Sequence, residues 1–362
     1  MIRIDEIYSN TFLPLIAKKH NHAMHWFDPF GSTKLQDLCS APAINNMNND
    51  AIRYLFWDQE PLYKKELDCI LPKFDSVYDG KLVLVTSEMD SEAVEYANNK
   101  YGAHHLYYFF HGWAALDWFR GYDKTFLIDP PQQRQIKKTF IAPNRIIAGE
   151  RQHRLEMLYY IFKNRMWDNH ISCPLTCPAE NINIYDAVQV LADKYPDIEQ
   201  VMISAPLPMQ FKHEENHPMH SCWLSLFDES AESLLYLVTE TVATGQRLHL
   251  TEKTFKPIAL GMPFIIVGTK GSLEYLRSYG FKTFDSIWDE SYDLADDNVR
   301  IERIASLLTS LNELSDSGKQ DLFEMALPII EHNYNHFYNG GFEKILWSEL
   351  QDVITTIQDG GI

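Results

Sequence analysis

Four side chains within fourteen residues have the types and spacing to handle a phosphorylated ligand: Glu240, Thr251, Glu252 and Lys253. A lysine is a point charge for phosphate, and a glutamate accepts hydrogen bonds from ribose hydroxyls. Thr251-Glu252-Lys253 also reads as a helix start, with Thr251 as the capping residue. A helix N-terminus adds free N–H groups and a positive dipole end. The plainer alternative is that Thr251 only caps the helix and Glu252 only complements its dipole.

The elements that must position these residues alternate between strand and helix. Leu234 to Val238 reads as a strand ending on Thr239-Glu240, followed by a polar loop from Ala243 to Gln246. Phe264-Ile265-Ile266-Val267, closed by Gly268, has the continuous apolar character of a strand buried on both faces. Ser272 is placed to cap a helix with apolar Leu273, Leu276 and Tyr279, Gly280 to end it, and a short strand up to Phe284 follows. Pro257 would interrupt a helix begun at Thr251, so a restart at Lys256 is expected. Such alternation implies α/β architecture with parallel sheets, in which ligands bind beyond the carboxyl ends of the strands.

Taken in order, IRIDEIYSN reads as a short strand running into a loop, and a His-, Asn- and Pro-rich loop is expected from Lys18 to Asp50. His20, His22 and His25 lie there without the spacing of a tetrahedral metal site. Ile52 to Trp57 reads as a buried strand ending on Asp58-Gln59-Glu60-Pro61. Lys81 to Thr86 ends on Ser87-Glu88, and after a helix from Ser91 to Lys100, Leu106 to Phe110 ends on His111-Gly112-Trp113. Three strands ending in polar or aromatic groups describe a ligand-facing rim. Residues 129–138 form a proline-rich linker. Thr139 to Ala142 opens a second α/β series: the loop Pro143-Asn144-Arg145 leads to a helix from Arg151 to Lys163 carrying Arg154. Val201 to Ile203 reads as a short strand, and helices are expected near 299–314, 319–332 and 342–357.

The resulting division is a domain over 1–135, a second over 136–340, and a C-terminal helix over 341–362 placed to pack back on the first. The 362 residues have ordinary hydrophobic content, 45%, and a net charge of −18, which repels polyanions, so bulk nucleic acid is not an expected partner. No apolar run has membrane-spanning length and MIRIDEIYSN has no signal-peptide pattern. With five cysteines, an odd number, the expectation is reduced thiols and a cytoplasmic protein. Cys173 and Cys177 lack the second pair a zinc site needs.

The stretch LVTET…HLTEKTFKPIALGMPFIIVG resembles the donor-binding half of GT-B-type glycosyltransferases, and in particular the α1,3-fucosyltransferase family. IAPNR with Arg154 is similar to that family's strand–loop–helix start, and WDQEP with Glu60 to its catalytic-carboxylate motif. The wider TEKTFKPI…PFI pattern also looks like that of bacterial-virus and marine bacterial proteins of unestablished activity. The resemblance implies two Rossmann-like domains facing a cleft and a nucleotide-diphosphate sugar donor, a GDP-sugar first among candidates. It implies donor contacts from Asn144, Arg145, Arg154, Glu240, Thr251, Glu252 and Lys253, with Glu60 as base, preferred over Asp58 and Glu88. It further implies inverting transfer without a divalent metal, to an acceptor glycan, lipid-linked sugar or protein. The sequence departs from the family at Thr239-Glu240-Thr241, where the family has Glu-Asn-Ser. A non-catalytic nucleotide- or glycan-binding module of the same fold is the alternative. A metal-dependent phosphoryl-transfer or hydrolytic enzyme ranks last, since neither a Walker pattern nor H-E-x-x-H occurs.

Overall fold

The computed structural model describes residues 3–19, 22–27, 52–74, 80–120, 134–144, 146–177, 182–211, 224 and 226–360. Residue contacts divide the chain into two units. One comprises Met1–Asp117, Gly245–His249 and Phe342–Ile362; the other comprises Trp118–Thr244 and Leu250–Gly341. The chain is α/β, with a parallel four-stranded sheet in each unit among the described residues. Of the expected linker 129–138, residues 129–133 lie outside the described residues, and the units change at Asp117/Trp118.

In the first unit, β1 (His22–Trp26), β2 (Ile52–Trp57), β3 (Leu82–Thr86) and β4 (His104–Tyr107) lie in that order. Leu55, Trp57, Leu82 and Leu84 share a core with Ala93, Ala97 and Tyr101 of the Glu92–Tyr101 helix. Ser91 caps that helix by accepting from the amides of Ala93 and Val94. Phe56 meets Tyr8 and Phe12, with ring centroids 5.9 and 4.8 Å away. The C-terminal helix Gly341–Asp359 buries Phe342, Leu346, Leu350, Val353 and Ile357, an i, i+4 stripe. It approaches the Phe110–Arg120 helix closely at Gly112, where a Cβ would stand 2.9 Å from Phe342.

In the second unit, β5 (Lys138–Ala142) lies between β6 (His170–Ile171) and β9 (Ser233–Thr239), and β10 (Phe264–Val267) pairs with β9. A separate antiparallel pair joins β7 (Thr176–Cys177) to β8 (Ile182–Asn183). Strands β9 and β10 are buried along their whole length, as two-sided coverage demands.

Several expectations are corrected. Residues Ile4–Ala17 are helical rather than extended, passing through a π-helical Ile7–Phe12, because Ile4, Ile7, Tyr8, Phe12 and Ile16 form one buried helical stripe. His22 and His25 lie on strand β1, not in a loop; at a sheet edge, polar residues are tolerated. His20 lies outside the described residues. Strand β4 stops at Tyr107, and His111 belongs to a helix. Val201 to Ile203 sits inside the Ile198–Ser204 helix, whose buried Ile198 and Met202 are one turn apart. The Glu252–Ala259 helix runs through Pro257 without restarting there, Gly271 takes the capping position expected of Ser272, and residues up to Phe284 form no strand. Against the expectation of reduced thiols, Cys69 is disulfide-bonded, while Cys173 is free and buried. Cysteine count and spacing do not reveal which thiols meet; the Cα separation does.

Candidate functional site

The carboxyl ends of β5, β9 and β10 gather most of the expected donor-binding residues. Thr251 caps the Glu252–Ala259 helix, its Oγ1 accepting from the Lys253 amide at 3.4 Å. The Lys253 ammonium donates to Glu252 Oε1 at 3.0 Å and to Thr241 Oγ1 and Thr251 Oγ1, each at 3.2 Å. Its side chain keeps 29% of its surface exposed, whereas that of Glu252 keeps 6%. A cation held among hydroxyls and one carboxylate at a helix start is equipped to meet an anion.

Glu240, expected from the sequence as a donor contact, is engaged by its own neighbours. It is fully buried, and its carboxylate accepts from the Thr251 amide at 3.1 Å, Thr251 Oγ1 at 2.5 Å and Thr254 Oγ1 at 2.6 Å. The Thr241 amide adds a fourth donor at 3.2 Å. Glu240 therefore fastens the helix start to the end of β9 and leaves no oxygen to spare. Its backbone amide donates to Val267 O, continuing the ladder into β10.

Arg154 is likewise turned inward. Its guanidinium donates to the carbonyls of Ile146, Thr239 and Glu240 at 3.0, 3.2 and 3.1 Å, and the residue is buried. His153 donates from Nε2 to the same Glu240 carbonyl at 2.9 Å. Burial, reinforced by Arg154, pushes its imidazole down to about 3, so it stays neutral. Asn144 joins β5 to β9 by accepting from Thr239 Oγ1 at 2.8 Å. Arg145 lies outside the described residues. A residue that sequence reasoning missed, Arg300, donates to the carbonyls of Ala243 at 2.9 Å and Gly268 at 3.0 Å, tying together the loops after β9 and β10. Arg300 also bonds locally, to Ala295 O at 2.8 Å and Asp297 Oδ1 at 3.0 Å, but Ala243 and Gly268 are each more than thirty residues away, so the loop-tying contacts leave no mark in the sequence.

In the first unit the carboxylates at the strand ends differ sharply. Glu60 is half-buried. Glu88 is buried and accepts from the Leu62 amide at 2.8 Å, Ser91 Oγ at 2.5 Å and Arg247 at 2.9 Å; burial holds its carboxyl above the usual range. The backbone of Met89 exchanges two hydrogen bonds with that of Leu248, and Gln246 O accepts from the Glu92 amide, so the Gly245–His249 segment is stitched to the end of β3. Asp58 is fully buried and accepts from Tyr8 at 2.7 Å and from Tyr108, and burial pushes its carboxyl up to about 6.

Among the described residues, no group of three or more His, Cys, Asp or Glu is placed to hold a metal ion, and no helix is long and apolar enough to cross a membrane. No protein-family model matches the chain, and no curated protein matches it either.

Proposed function

We propose that the protein transfers a sugar from a nucleotide-diphosphate donor to an acceptor hydroxyl, with inversion. In this reading the two α/β units cooperate as the two halves of a GT-B enzyme. The observation that carries it is the partly exposed Lys253 ammonium beside a capped helix start at the carboxyl end of β9. A cation there stabilises the charge that develops on a leaving diphosphate, and Glu252 accepts from a ribose hydroxyl. Glu240, Arg154 and Asn144 act as positioning residues, fixing the strand ends and the helix start through backbone and hydroxyl contacts. A GDP-sugar is the donor tested first.

The second reading is a non-catalytic nucleotide-binding module of the same fold. It is favoured by the inward engagement of Glu240 and Arg154, which leaves a sparse set of groups for chemistry. Calorimetry with GDP tests the shared donor site: Lys253→Ala is expected to lose ~1.5–3 kcal/mol of binding, the range for bonds to charged groups. Glu252→Gln is expected to weaken GDP more than its dideoxyribose analogue. Parent protein that does not bind GDP, or a Lys253→Ala variant that binds it as tightly, would remove the donor assignment. Release of GDP from a GDP-sugar by the parent separates enzyme from module.

A further inference from the structure

After β10 the chain crosses an acidic stretch, residues 285–297, that leads into the Asp297–Asn312 helix. Two open cavities of about 290 and 280 Å³ lie along it and share Ser291 and Leu294, so they form one groove within the second unit. The groove has no residue in common with the Glu240–Lys253 cluster. Five carboxylates line the first cavity: Glu274, Asp285, Asp289, Glu290 and Asp293. Arg277 is the one cation among its lining residues, and its guanidinium is committed to Glu290 at 2.7 Å and Thr283 at 2.9 Å. Glu290 also accepts from the Phe284 amide at 2.7 Å, and Asp293 from the Leu273 amide at 3.0 Å, so these two carboxylates serve the fold. Glu274, Asp285 and Asp289 are exposed and face solvent at the cavity.

The lining selects the occupant. A cleft walled by one sign of charge focuses the field and gathers the opposite charge. Among the described residues, no three His, Cys, Asp or Glu side chains converge as a metal site requires. A compact ion therefore matches the groove poorly, and cations spaced along a chain match it well. The edge shared by the two cavities is apolar: Leu294 is 60% exposed, and Val299 in the second cavity is 39% exposed. Exposed apolar side chains rimmed by charge are the signature of a surface that binds protein. A second copy of this chain is the wrong partner, because a net charge of −18 repels its own kind.

We propose that this groove docks a basic segment of a partner protein, an extended peptide with arginine or lysine side chains on either side of apolar ones. The cationic side chains meet Glu274, Asp285 and Asp289, and the apolar ones cover Leu294 and Val299. Two hydrogen bonds from Ser291 hold the Asp289 carboxyl below its ordinary range, so it is ionised at neutral pH. Charge matching of this kind supplies steering and partner choice more than raw affinity, and salt weakens it. The inference is independent of the transferase reading.

Fluorescence anisotropy of the full chain with a labelled Arg-Arg-Leu-Leu-Arg-Arg peptide tests the groove. The parent is expected to bind it at low salt and to release it as sodium chloride is raised. The double variant Glu274→Gln/Asp285→Asn, altered only at exposed positions, is expected to bind about tenfold more weakly. Leu294→Ser is expected to bind about fivefold more weakly. Asp321→Asn/Glu331→Gln, which removes the same charge from exposed positions of the Asp316–Tyr338 helix, is expected to bind like the parent. No binding by the parent overturns the proposal, as does undiminished binding by the Glu274/Asp285 variant. An equal loss in the Asp321/Glu331 variant would reveal attraction to overall charge alone and overturn it too. Equal affinity for Arg-Arg-Ser-Ser-Arg-Arg or for spermine would leave a diffuse cation site and overturn the peptide assignment.

Discussion

Asp58→Asn isolates the energetic consequence of burying a carboxylate at the end of β2. Its folded-state pKa lies near 6 against an ordinary 3.8, with burial as the largest cause. Each tenfold in proton affinity is worth ~1.4 kcal/mol, so the difference amounts to ~3 kcal/mol. Because the folded pKa is raised, the favourable contribution is complete below about pH 4 and is lost as pH rises through about 6. Above that, the ionised group sits in the fold at a cost of ~3 kcal/mol. Asparagine carries no charge, and its carbonyl oxygen can still accept from Tyr8 and Tyr108. The variant is therefore expected to be more stable than the parent by up to ~3 kcal/mol at pH 7.5, the difference narrowing to ~1 kcal/mol at pH 4.5. Hydrogen exchange of the β2 and β3 amides in the full chain, corrected for intrinsic rates, reports the local opening free energy. His25 and His105, both pushed down to about 4 by burial, lose stability in the opposite sense as pH falls, but they are common to both proteins and cancel in the difference. A parent-minus-variant difference that stays flat from pH 4.5 to 7.5 would refute the reasoning.

Arg154→Ala removes the donor to three carbonyl oxygens and is expected to cost about 3 kcal/mol of stability by urea unfolding; a neutral outcome would return Arg154 to the list of ligand contacts. Glu240→Gln retains only one accepting atom for four donors and should cost ~1–3 kcal/mol, with faster exchange of the Thr251 to Lys253 amides; unchanged protection would count against its fastening role. Gly268→Ala would bring a Cβ within 2.6 Å of Ser272 Oγ, which is held on Thr269 O, so a loss of ~1–3 kcal/mol is expected, largely recovered in a double variant with Ser272→Ala. Arg247→Met strands the Glu88 carboxylate, which is expected to lower stability by ~3–5 kcal/mol; adding Glu88→Gln should restore much of it, and an absence of coupling between the two would dissolve the pair.

The sequence by itself determined the class of fold. The unbroken apolar runs of β2, β3, β9 and β10 read as buried strands, and the amphipathic C-terminal helix was equally plain, because both periods depend only on neighbours along the chain. Thr251 was legible as a cap for the same reason. Local pattern misled where it was short: three apolar residues at Val201 look like a strand, and the helical stripe from Ile4 to Ile16 shows only when its buried positions are counted over more than two turns. The bonding partners of the candidate site residues were decided by tertiary structure alone. Glu240 and Arg154 have the chemistry of ligand contacts, yet Thr254 and the carbonyl of Ile146 occupy them. Asp58 and Glu60 are two residues apart in one motif, but only Asp58 meets Tyr8 and Tyr108, each fifty positions away. A carboxylate's pKa and reach depend on who desolvates it and who bonds to it, and those partners are brought together by the fold rather than by adjacency in the chain.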